Sequence, residues 1–190
     1  MIAIAAGAAS GCSGAQGASG QPDVVTPALS MTSSASSGPS TTATATLDDA
    51  ARARIPTAAR AHTPAGAEAF ARFYLEQVNQ AWMTPDPELI RPYALESCKT
   101  CANYVKTAEW LTQRTLQYDG SPMDLGLSIV APESRNDHVY IEMPANQQHR
   151  NIVRPDGSVE ETLPKRVAGA QVELVWSQTA WHVREVRVIL

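Results

Sequence analysis

The first 69 residues of this 190-residue chain contain no aromatic side chain; all eleven Phe, Trp and Tyr residues lie at or after Phe70. A segment without aromatics has little with which to build a core. Nothing basic precedes Arg52, and the whole chain carries a net charge of −4, so there is no positive field to hold nucleic acid. Charged residues are only 18% of the chain, below the usual quarter, while apolar residues reach 44%, enough for one ordinary domain. No apolar run approaches about 18 residues, which excludes a mature membrane-spanning helix. The three cysteines and the scattered His62, His138, His149 and His182 lack a second ligand pair at metal spacing, so no metal site is expected. No glycine-rich phosphate loop and no Ser/His/Asp arrangement is visible, and no cofactor is expected.

What is present falls into three parts. Residues 1–11 are small and apolar, and they stop at Ala9-Ser10-Gly11-Cys12. Small residues before a cysteine resemble a bacterial lipobox, with Ala9 where leucine is more usual. The resemblance implies cleavage before Cys12, diacylglycerol on its thiol and an anchor on the outer face of the cytoplasmic membrane. Two or more acyl chains hold a protein stably where one is marginal. A positive flank should precede such a signal; its lack is expected if the coding start lies upstream and Met1 is internal.

Residues 12–61 read as a tether. From Ser13 to Thr46, 27 of 34 residues are Ala, Ser, Thr, Gly or Pro, and only Asp23 is charged. Such a stretch cannot bury enough apolar surface to offset its chain entropy. Leu47 to Ala61 adds some charge and reads as a frayed helix before Pro56.

Residues 62–190 carry the periodic patterns. Thr63-Pro64 is an N-cap followed by proline at the first helical position, and Ala67, Phe70, Ala71, Tyr74, Val78 and Ala81 recur at helical spacing. Asp86 can cap a short second helix with Leu89, Ile90 and Tyr93. Ser97 can cap a third, with Cys101, Tyr104, Val105, Ala108 and Leu111 inward and an end near Asp119-Gly120. The period then becomes two, through Leu125/Leu127/Ile129, Val139/Ile141/Met143, a weak hairpin over Asn151–Leu163, Val172/Leu174/Trp176 and Trp181/Val183. The alternation slips before Val186/Val188/Leu190, which predicts a bulge at Arg184-Glu185. Three helices followed by four to six antiparallel strands is an α+β pattern, with the helices covering one face of the sheet.

This order of elements resembles the nuclear transport factor 2-like (cystatin-like) cone, a curved sheet wrapped on a long first helix. Within that superfamily, Ala67-x-x-Phe70-x-x-Phe73-Tyr74, Asn79-x-Ala81-Trp82, Cys98-x-x-Cys101 and the closing Val175-Trp176-x-x-x-x-Trp181-x-Val183 resemble an uncharacterised family of actinobacterial lipoproteins. The resemblance covers the whole ordered region and implies a lipobox, a low-complexity tether and a paired Cys-x-x-Cys. It implies no reaction.

With Cys12 acylated, Cys98 and Cys101 form an even pair in an oxidising setting, where a disulfide is the default. A redox thiol pair is the sharper alternative, because a helix start lowers a thiol pKa; the flanks of Cys98-Lys99-Thr100-Cys101 lack the aromatic and proline of the thioredoxin type.

For function, the candidate pocket residues are Trp82, Asn79, Trp110, Trp176 and Glu185, with Tyr93 and Trp181 as further aromatics that either line a cavity or fill the core. An isomerase or dehydratase in a cone needs a carboxylate or a His–Asp pair facing an apolar pocket. By alternation, Asp124, His138, Glu142, Glu173 and His182 point away from the core. Only Glu185, at the bulge, can turn inward. The expected role is therefore a non-catalytic binding or interaction module in the cell envelope, with a protein partner or a small apolar ligand. The alternatives are an isomerase- or dehydratase-like enzyme and a thiol–disulfide participant through Cys98 and Cys101.

Overall fold

A computed structural model describes residues 47–135 and 137–189. The expected signal, Cys12 and the tether up to Thr46 lie outside the described residues.

The ordered chain begins earlier than His62. Helix α1 (Asp49–Arg54) is capped by Asp48, whose Oδ1 accepts from the Ala51 amide at 2.6 Å. A 3-10 turn over Thr57–Arg60 follows. Leu47, Ala51, Ile55 and Ala59 recur every fourth residue and are all buried in the main core. The Tyr93 hydroxyl donates to the Ala51 carbonyl at 3.0 Å and ties this segment down. The expected frayed end of the tether, residues 47–61, is thus a packed part of the domain.

Helix α2 (Pro64–Met83) starts where its signals place it: the Thr63 hydroxyl accepts from the Gly66 amide at 3.0 Å, with Pro64 next. Gly66 is needed there, because a Cβ would stand 2.0 Å from the Ala61 carbonyl oxygen. Phe70, Tyr74, Leu75, Val78 and Ala81 are fully buried along the helix. The expected short second helix is only two 3-10 turns, Pro87–Leu89 and Arg91–Tyr93, since Pro87 and Pro92 deny the amides that longer helical pairing needs. Helix α3 (Lys99–Arg114) is capped by Cys98 rather than Ser97 and stops at Thr115, in the left-handed region (φ 55°), five residues before Gly120.

Among the described residues eight strands follow, more than the sequence patterns predict: β1 (Gln117–Tyr118), β2 (Met123–Leu125), β3 (Ile129–Val130), β4 (His138–Gln147), β5 (Arg150–Val153), β6 (Val159–Leu163), β7 (Gly169–Ser177) and β8 (Ala180–Ile189). They form a three-stranded sheet, β1-β5-β6, and a five-stranded sheet, β2-β4-β7-β8, with β3 also paired to β4. All of these pairings are antiparallel. The fold is α+β: the helices and the five-stranded sheet share the main core, and a smaller cluster of Leu111, Leu116, Tyr118 and Ile152 joins α3 to the three-stranded sheet. Val139, Ile141, Met143, Val172, Leu174, Trp181, Val183 and Val186 form its sheet side, as alternation predicts.

Two details of the sheet bear on function. Glu173 pairs with Glu185 while Leu174 pairs with Val183, so Arg184 is the extra residue of a bulge where the alternation slips. Leu125, Leu127 and Ile129 are not one strand. The chain leaves β2 at Gly126, where a Cβ would press on the Pro144 ring at 2.7 Å, and Leu127 ends 90% exposed.

Candidate binding cleft

Where the C-terminal end of α2 meets both sheets, a cleft of about 360 Å³ opens. Its floor begins with Trp82 at the end of α2. The indole Nε1 donates to the Tyr104 carbonyl of α3 at 3.1 Å, which fixes the ring. Tyr118 of β1 stacks on it, with centroids 5.7 Å apart and planes at 21°, and Tyr104 meets it edge-on at 5.5 Å. Met123 of β2, Leu163 of β6 and Val188 of β8 complete the apolar walls. The polar groups are few: Gln147 and Gln148 at the end of β4, and Arg166 between β6 and β7. Gln147 is oriented by its own bond, Nε2 donating to the Pro164 carbonyl at 2.7 Å. Mostly apolar walls with few polar groups are the ordinary makeup of a ligand pocket.

Asn79 builds this cleft without lining it. Its carboxamide donates to the Met123 carbonyl at 2.9 Å and accepts from the Met123 amide at 3.0 Å. That double bond to backbone holds β2 against α2. Behind the wall, the Tyr74 hydroxyl is buried and unpartnered. Burial pushes its pKa well above the ordinary phenol value, and the Tyr104 phenol adds to the rise. Burial also raises Tyr104, and raises Tyr118, where Glu161 contributes.

The five candidate pocket residues do not converge. Trp82 lines the cleft and Asn79 supports it. Trp110 lies in a smaller cluster with Leu111, Leu116, Tyr118 and Ile152, under the Arg114 guanidinium at 5.5 Å. Trp176 stacks on His62 at 4.4 Å and meets Trp181 edge-on at 5.1 Å; the Trp181 indole donates to the Ala61 carbonyl. Tyr93 packs edge-on against Phe70 and Phe73 in the core. Glu185 does not turn inward. It stays in register with Glu173 on the outer face, 2.6 Å from Arg187, beside a groove formed with Ser97, Lys99, Thr100 and Arg184. Sequence reasoning missed Tyr104 and Tyr118 as cleft walls, and gave no sign of Gln147, Gln148 or Arg166.

The outer face carries the other ionisable groups. Glu173 and His182 point away from the core as alternation requires, yet both are buried. The Glu173 carboxylate lies 3.4 Å from His138 Nδ1 and 3.5 Å from the Arg184 guanidinium. Gln171 donates to Glu142 at 2.8 Å. At one end of this face a shallow groove of about 540 Å³ is lined by Leu127, Ile129, Pro144, Gly169 and Ile189. It shares Val167 and Ala168 with the aromatic cleft.

Cys98 and Cys101 are joined in a disulfide at the start of α3, and both are buried. Among the described residues no three His, Cys, Asp or Glu side chains converge as a metal site would need, and no helix is long and apolar enough to cross a membrane.

Comparison with solved structures extends these observations. The intermembrane space region of the chloroplast protein ARC6 is 17% identical, with a TM-score of 0.51 over 67% of this chain and 96% of that one; at this identity the likeness is one of fold. An uncharacterised protein with a cystatin-like fold from Caulobacter vibrioides is 11% identical, at 0.42 over 63% of this chain and 87% of that one. An NTF2-like protein of unknown function in nutrient uptake from Rhodospirillum rubrum is 18% identical, at 0.43 over 63% of this chain and 98% of that one. No curated protein matches. Residues 41–187 match a family of unknown function, DUF6318, and the chain belongs to that family.

Proposed function

We propose that this protein is an actinobacterial lipoprotein, held on the outer face of the cytoplasmic membrane through Cys12, whose domain is a non-catalytic module that binds a small apolar ligand. The observation that carries the ligand reading is the aromatic cleft at Trp82, Tyr104 and Tyr118, whose lining residues include no carboxylate and no histidine. An isomerase would draw on a desolvated acid or base at this place. Glu185, the one carboxylate that the bulge was expected to be able to turn inward, instead pairs with Arg187 on the outer face. The buried disulfide supports a structural rather than a redox use of the cysteine pair.

The test is native mass spectrometry of the full chain released from membranes in mild detergent. A reproducible small-molecule adduct is expected, and Val188→Asp, at the exposed lip of the cleft, should remove it. A clean apo mass overturns the ligand reading. The anchor is tested separately: Cys12→Ser should move the protein from the membrane to the soluble fraction, and a variant that stays membrane-bound overturns the lipoprotein reading.

A further inference from the structure

The chemistry of the cleft says more about its ligand than that it is apolar. Thirteen residues line it, and only one of them, Arg166, is charged. The Arg166 backbone amide is taken up by the Gln147 carbonyl at 3.0 Å, which fixes the base of the side chain at the cleft mouth. Among the described residues, by contrast, no hydrogen bond or ion pair engages its guanidinium. Its neighbour Lys165 is exposed and likewise makes no ion pair there. Most other arginines of the domain are occupied: Arg91 by Glu88 and Glu109, Arg154 by Glu160, Arg187 by Glu185, Arg184 by Glu173 and Arg72 by the Gly126 carbonyl.

The apolar surface does not end at the cleft either. Val188 and Val167 stand 64% and 82% exposed at its lip. Beyond the shared Val167 and Ala168, the outer groove continues with Leu127, Ile129 and Ile189, all exposed. Among the described residues, five of the six exposed large aliphatic side chains therefore lie along one continuous path that starts beside an unengaged cation. Isolated exposed aliphatics need no explanation, but a contiguous run of them marks a binding surface.

We infer that the cleft takes an anionic amphiphile, a carboxylate or phosphate head group on an extended hydrocarbon chain, with the head at Arg166 and the chain against Trp82 and Tyr118 and over the Val167 lip. This inference rests on the ligand reading of the cleft proposed above and adds the ligand's charge and shape. A guanidinium forms charge-assisted, often bidentate hydrogen bonds to either head group. The chain supplies affinity by burial, in proportion to its length.

The experiment is calorimetric titration of the full chain carrying Cys12→Ser, so that no acyl anchor contributes, with laurate, octanoate, lauryl phosphate and the neutral dodecanol, all below their aggregation concentrations. Laurate should bind about tenfold more tightly than dodecanol and well ahead of octanoate. Arg166→Gln, a surface change that keeps the backbone bond, should raise the laurate Kd about tenfold and leave dodecanol unchanged. Lauryl phosphate binding more tightly than laurate identifies a phospholipid-type head group as the source, and the reverse order a fatty acid; either agrees with the inference. Equal binding of laurate and dodecanol, or an unchanged laurate Kd in Arg166→Gln, overturns the anionic assignment and leaves the apolar cleft standing. If neither C12 compound binds, the ligand reading itself falls with it. A Val188→Asp variant that still binds laurate places the chain elsewhere and overturns the path.

Discussion

Asn79 and Met123 are joined twice: one side chain gives and takes a hydrogen bond with one residue's backbone, at 2.9 and 3.0 Å. An amide side chain can do this because it carries a donor and an acceptor side by side, as an adjoining strand would. Asn79 is 7% exposed, so both bonds are shielded from competing water. Asn79→Ala leaves the Met123 amide and carbonyl without partners and should cost about 3 kcal/mol in urea unfolding. Asn79→Asp keeps the acceptor but sets a buried carboxylate against the Met123 carbonyl oxygen, so its cost should be at least as large. Because Met123 is also a cleft wall, both variants should weaken binding of any cleft ligand. An Asn79→Ala protein as stable as wild type would show that β2 is held by other contacts.

The disulfide between Cys98 and Cys101 closes a very short loop. Its entropic contribution is about 2 kcal/mol. Cys98 is also the N-cap of α3, its Sγ accepting from the Cys101 amide. Replacing both cysteines with alanine should lower stability by about 2–3 kcal/mol and leave the domain folded by circular dichroism. Both sulfurs are buried, so mild reductant should open the bond only where the protein unfolds. Rapid reduction of the native protein would favour thiol–disulfide chemistry instead.

The parts of the fold legible in the sequence are those with strong local signals. Thr63-Pro64 marked the start of α2, and the slip before Val186 marked the bulge at Arg184. The packing of residues 47–61 was hidden because its stripe is half alanine, and alanine in a low-complexity context carries little apolar weight. Leu127 misled for the opposite reason: it continues an alternation that Gly126 and Pro144 interrupt through a contact far apart in sequence. The cleft was least legible. Three tryptophans of similar appearance are placed differently: Trp82 lines the cleft, Trp110 packs on the same Leu111 and Tyr118 cluster but outside the lining, and Trp176 stacks on His62. Nothing local distinguishes them, because the cleft is assembled from two helices, both sheets and a connecting loop. Arg166 reads in sequence as one surface charge among many, and only its place at the mouth gives it meaning.

Among the described residues, the Tyr74 hydroxyl is buried without a hydrogen-bond partner. A buried donor left unmade costs about 1–3 kcal/mol. Phenylalanine fills the same space without that donor. Tyr74→Phe should therefore raise the unfolding free energy by about 1 kcal/mol, read as a higher urea midpoint with an unchanged slope. A loss of stability of that size would mean that the hydroxyl holds a partner in solution.

Burial raises the pKa of Tyr74, Tyr93, Tyr104 and Tyr118 alike, because each phenol is favoured in its neutral form inside the fold. Below about pH 10, the phenol value of the unfolded chain, both states keep their protons and the stability from these groups is fully present. As pH rises further, the unfolded chain releases protons first, and stability is lost until the folded phenols ionise too. Phenolate absorbance at 295 nm and far-ultraviolet circular dichroism should therefore move together for these four residues, in a single alkaline transition above pH 10. Tyr104 and Tyr118 wall the cleft. A ligand that covers them removes more water from both rings and stabilises the folded state, so saturating laurate should shift this transition to higher pH. Tyr140 lies outside this set, so the decisive signal is phenolate beyond one equivalent: its appearance near pH 10 with unchanged circular dichroism would show that the buried rings are open to water, and the cleft would then lack the dry aromatic wall on which its binding role depends.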